Sequence, residues 1–317
     1  MSAQKLNVDV SYEFSVHSGL LADAYISRDA KNSARVAYEN RYTLATKEDL
    51  MVKHYLDKYS SDPILNATGI VNQIAASVLF AADLEICGQP DDITRVSVKF
   101  KGDIEDTLYG RAVVLHDLIY INPQIFNSTG MVYESVITHE FGHILQHHSG
   151  IRYGEGEKYD WDISRAKSFG MRAFFEGGAE LFSAYVLSNI LHSNSGYDEK
   201  IEFVFKHIAA TGGFDPDVLK NSAFAEKILD YDKIDSLLRN NWNGNVPAVY
   251  LEAAKIVLMK LHSEGLDLDK TVKFFFSKNI DPWEGYAKAL GNAYKRHALE
   301  IALKQVQRLR QSTSEYD

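Results

Sequence analysis

Residues 139–143 read His-Glu-Phe-Gly-His, and this pentad constrains the chain more than any other feature. Its residues can act together only on a helix, where positions i and i+4 stack on one face and the imidazoles of His139 and His143 converge. Two neutral imidazoles that converge in this way make two legs of a tetrahedral zinc site. Glu140 lies about 100° round the helix from His139. That is close enough to reach a metal-bound water without ligating the ion, which is the position a general base needs. A chain of this composition would contain about 0.02 such pentads by chance, so the surroundings have to decide. They favour a helix: Val132, Val136, Ile137, Phe141, Ile144 and Leu145 recur at spacings of three and four, as in a helix that buries one face.

A catalytic zinc ion keeps three protein ligands and one open position. Downstream, residues 174–181 read Phe-Phe-Glu-Gly-Gly-Ala-Glu-Leu inside a second helical pattern. Glu176 and Glu180 stand four apart and share a face, and either could supply the third ligand. Each glycine inside a helix costs about 1 kcal/mol relative to alanine, so Gly177 and Gly178 together imply a packing or functional reason. With Ala179 they would let this helix approach the motif helix closely. His147 and His148 lie further along the first helix and are expected outside the ligand set.

The pair of segments, HEFGH followed by EGGAE, resembles the gluzincin branch of zinc metallopeptidases. In that clan the third ligand is a glutamate on the helix after the motif helix, within an E-G-x-A signature related to ExxAD. The resemblance implies Zn²⁺, one per chain, held by His139, His143 and Glu176, with Glu140 as catalytic base and a peptide or protein as substrate. It places Glu180 where a second acidic residue orients a ligand histidine, and Tyr250, at the start of a downstream helix, where several members carry an oxyanion-stabilising tyrosine. Tyr185 and His192 are weaker candidates for that role. The resemblance covers roughly residues 110–190, including a strand pair like the zincin edge strand that borders the cleft. Two departures stand out. His143 and Glu176 are 33 residues apart, which implies a loop insertion from Gly150 to about Tyr159, and there is no G-x-M-E-N exopeptidase motif. The metzincin pattern fails, because Gln146 and Ser149 stand where it needs glycine and histidine. A zincin fold that only binds or scaffolds, and a metal-dependent hydrolase of a non-peptide bond, are the alternatives.

The rest of the 317 residues frames this core. Apolar residues make up 45% and charged ones 24%, enough for a sizeable hydrophobic core. The net charge of −9 argues against nucleic acid, whose phosphates need clustered Lys and Arg. Cys87 is the single cysteine, so an internal disulfide and a Cys-based metal cage are both excluded. The stretch 64–87 is interrupted by Asn66, Asn72, Gln73, Asp83 and Glu85, which reads as a buried helix and not a membrane span. The first residues show no basic segment ahead of an apolar one, so the expected location is cytoplasmic.

Along the chain, helix is expected at 46–59 and from Ser61-Asp62-Pro63 to about Leu84, with the first 45 residues left unassigned. A strand is expected over Arg95–Phe100, and a hairpin over 112–121 turning at His116-Asp117. Helices then follow near 129–148, 161–191, 198–211, 216–238, 247–264, 267–278 and 283–310. The expected class is α+β and helix-dominant, with a zincin-like core in which a small sheet precedes the motif helix, and a helical C-terminal part. The expected division is a mostly helical region over 1–92, a catalytic core over 93–195 and a helical region over 196–317, forming one unit.

Overall fold

A period-2 pattern of apolar and polar residues builds the sheet. In β3 (Arg95–Phe100), Val96 and Val98 are fully buried, while Ser97 and Lys99 between them are half-exposed. In β5 (Leu118–Ile121), Ile119 and Ile121 are likewise buried. This alternation puts one face of each strand in a core. The computed structural model describes residues 4–12, 20–26, 73–74, 76–86, 95–100, 110–122, 132–151, 161–213 and 246–291. The helices expected at 46–59 and 216–238, the insertion over most of 150–159 and the chain after 291 lie outside the described residues.

The sheet has five strands in the order β2-β1-β3-β5-β4, completed by β1 (Gln4–Tyr12), β2 (Leu20–Ile26) and β4 (Gly110–Val113). It is mixed. β3 runs parallel to both β1 and β5, while the β1–β2 and β4–β5 pairs are antiparallel. The expected hairpin is present, but its turn is a short 3₁₀ segment, Val114–His116, closed by Asp117 in the left-handed region at φ 47°. Aspartate tolerates that conformation better than most residues. The strands at 4–12 and 20–26 were not anticipated. Residues 6–12 do alternate (Leu-Asn-Val-Asp-Val-Ser-Tyr), but Asn and Asp are poor strand formers, and the pairing of β1 with β3 is distant in sequence.

The chain divides into two units, Met1–Ser149 with Tyr185–Ser195, and Gly150–Ala184 with Gly196–Asp317. In the first, α1 (Val132–His148) packs on β4, the turn and β5. Its buried polar groups are paired: the Thr138 hydroxyl donates to the Glu134 carbonyl at 2.7 Å and accepts from Gln73 Nε2 at 2.8 Å. At its C-terminal end, His148 Nε2 meets Asp117 Oδ1 at 2.7 Å, tying the helix to the hairpin turn.

In the second unit, α2 (Trp161–Leu191) supplies Phe174, which stacks on Phe275 with ring centroids 4.9 Å apart. Further helices are α3 (Tyr197–Gly212), α4 (Val246–Ser263), α5 (Leu268–Phe275) and α6 (Pro282–Ala289). Capping sets the start of the last two: Asp267 accepts from the Lys270 amide and Asp281 from the Glu284 amide, with Pro282 opening α6, the pattern that stabilises helix N-termini. α4 buries an ionic cluster in which Glu252 accepts from Lys255 Nζ at 3.2 Å and from the Tyr286 hydroxyl at 2.7 Å. A buried charge needs such partners, since an unpaired one would cost several kcal/mol, on the order of 3–5.

Gly285 marks a tight approach in this core, because a Cβ there would stand 2.7 Å from the Phe174 ring. Gly285→Ala is expected to destabilise the protein by about 1–3 kcal/mol through overpacking, read as a lower midpoint in urea denaturation. An unchanged midpoint would show that the ring moves freely. The observed class is α+β and helix-dominant, with the sheet preceding the long helices.

Candidate metal centre

The pentad lies in the middle of α1, within the helix its spacing predicts. The rings of His139 and His143 stand edge to face with centroids 4.8 Å apart, as the i, i+4 relation requires. His139 is buried at 5% exposure and His143 is half-buried. Glu176 lies on α2, half-buried. The ligand atoms of His139, His143 and Glu176 all lie within 4.8 Å of one another. Donors of a tetrahedral zinc with bonds of about 2.0–2.1 Å stand roughly 3.3–3.4 Å apart. That separation falls within the 4.8 Å spread of the three donors. Two imidazole nitrogens with a carboxylate oxygen suit a borderline divalent cation.

His143 is held by a neighbour that the sequence reading used only to reject a different motif. Its Nδ1 donates to Gln146 Oε1 at 3.0 Å, and Gln146 is fully buried. A carboxamide oxygen only accepts, so the bond keeps the proton on Nδ1 and leaves the Nε2 lone pair for a metal. The available signal was a polar residue three positions after His143, on the same helix face.

The remaining candidates fall as follows. Glu140 is buried at 8% exposure, and its carboxylate lies against the start of β4 at Gly110. Glu180 is engaged by α3: its Oε1 accepts from the Thr211 hydroxyl at 2.7 Å and pairs with His207 Nε2 at 2.9 Å. Neither residue of α3 was singled out from the sequence. Tyr250 is half-buried near the start of α4. Among the described residues, His147 and His148 fall outside the metal-capable group. Arg172 approaches Glu176 at 3.9 Å, one turn earlier on the same helix. Gly177 sits against α4. A Cβ there would come within 3.1 Å of the Ala253 carbonyl oxygen, so the glycine lets α2 and α4 approach closely.

Among the described residues, no helix is long and apolar enough to cross a membrane. No family model matches the chain, and no curated protein or solved structure is found to be similar to it.

Proposed function

We propose that the chain is a zinc-dependent peptidase, with His139, His143 and Glu176 as ligands of a single Zn²⁺. The observation that carries the reading is the mutual reach of these three side chains, together with the position of Glu140, next to a ligand and under an edge strand. A bound zinc ion would supply Lewis acidity, polarising a scissile carbonyl and lowering the pKa of a bound water.

The other tasks fall to the protein's own groups. The Glu140 carboxylate accepts the water proton and returns it to the leaving amine nitrogen. Gln146 fixes the His143 tautomer. Among the described strands β4 lies at the edge of the sheet and pairs with β5 on one side; an edge strand can pair an extended peptide by main-chain hydrogen bonds. Tyr250 is proposed as the hydroxyl donor to the oxyanion.

The test combines metal content with hydrolysis. Purified protein is expected to carry about one zinc per chain, to cleave denatured casein, to lose that activity to a chelator and to regain it on zinc addition. His143→Ala should arrive metal-free. Equal zinc in the variant and the wild type would overturn the ligand assignment. Stoichiometric zinc without casein cleavage would leave a metal-binding scaffold or a hydrolase of another bond.

A further inference from the structure

We infer that Gly110 is a positioning residue for Glu140, a role that rests on the peptidase reading above. Gly110 opens β4 and pairs with Ile121 of β5. Among the described glycines, those with positive φ are Gly150, Gly213, Gly265 and Gly291, so the backbone at 110 does not demand glycine. Glycine also weakens a strand, and inside one it marks a close approach. Here the approach is to α1. An added Cβ would stand 2.7 Å from Val136 Cγ1, 3.0 Å from Glu140 Cγ and 3.1 Å from Glu140 Oε1.

Val136 and Glu140 are one helical turn apart and face the same strand residue. The strand cannot retreat easily, because its four residues are paired along β5 and Ile121 is fully buried. A methyl group at 110 must therefore be accommodated by one of the two helix side chains. Val136 is β-branched, and a helix holds it in essentially one rotamer. Glu140 has three side-chain torsions and is the group that yields. The missing side chain at 110 thus keeps the volume in which the Glu140 carboxylate stands, and the three atoms nearest an added Cβ belong to Val136 and Glu140.

Gly110→Ala is expected to bind zinc within about twofold of wild type, to lose kcat on casein by about 10–100-fold and to leave KM nearly unchanged, as a misplaced catalytic group does. The double variant Gly110→Ala/Val136→Ala relieves the closest contact and keeps a folded protein available, and its kcat should stay low. Crystal structures of metal-free wild type and Gly110→Ala give a readout independent of turnover, expected to show the Glu140 carboxylate displaced and the His139 and His143 rings unmoved. Unchanged kcat, recovery of kcat in the double variant, or a turned Val136 beside an unmoved Glu140 would each overturn the inference. Failure of the peptidase reading shows differently, as absent metal-dependent cleavage by the wild type, and the two crystal structures still decide which side chain the methyl group displaces.

Discussion

Glu140→Gln is expected to retain the wild-type zinc content and to lose casein hydrolysis by about 10²–10⁴-fold, the usual contribution of a general base. The amide nearly matches the carboxylate in shape, so the packing against Gly110 is preserved. What changes is proton affinity: a carboxamide oxygen accepts a hydrogen bond but does not take the proton from water. Ligation is untouched, since Glu140 lies outside the metal-capable group. The loss should therefore appear in kcat and kcat/KM together. The measurement pairs elemental analysis with steady-state kinetics on the same preparation. Full residual activity would place the base elsewhere, and loss of zinc would make Glu140 a ligand.

The second large effect separates the two glutamates of α2. Glu176→Ala removes a donor from the set that reaches a common point, and zinc is expected to fall to background, because two imidazoles alone are too few ligands to hold it. Glu180→Ala should keep the metal, with affinity or activity weakened by no more than about 10–100-fold. Its main cost should be to stability, at about 1–3 kcal/mol, since the Thr211 hydroxyl and the His207 ring both lose their Glu180 partner. Metal content and thermal melting of both variants distinguish the roles. The reverse ranking, with Glu180 needed for zinc and Glu176 dispensable, would refute the assignment while leaving a two-histidine, one-glutamate centre intact.

What the sequence disclosed and what it withheld divide along a physical line. The helices carrying the site were legible because the period of their buried residues is local; 161–191 was read to its observed bounds and α1 to within three residues. The hairpin was legible because short apolar runs flank a turn-forming pair. The convergence of His139 and His143 was legible because i, i+4 geometry follows from the helix alone. β1 was not, since its Asn and Asp are poor strand formers and one of its partners, β3, is met only in three dimensions. The bonds from Thr211 and His207 to Glu180, and the approach of Gly177 to Ala253, were hidden for the same reason. Gln146 is the instructive exception: its bond to His143 spans three residues of one helix and was open to a local reading.

The pairing of β1 with β3 has a consequence for how the chain is made. Asn7 lies opposite Arg95, a separation of about 90 residues, which a ribosome adding about 5–20 residues per second covers in roughly 5–20 s. For that interval one of the two described neighbours of β1 is still unmade. Its other neighbour, β2, follows immediately and pairs with it from Gln4↔Ile26 to Val10↔Leu20. A β-hairpin of this kind closes within about 1–10 µs, so one edge of β1 can be covered almost as soon as it emerges. The opposite edge stays open until β3 arrives, and an open strand edge is a template for pairing with another chain. During synthesis that edge of the nascent hairpin is open to wrong partners, and a chaperone that shields strand edges would protect it.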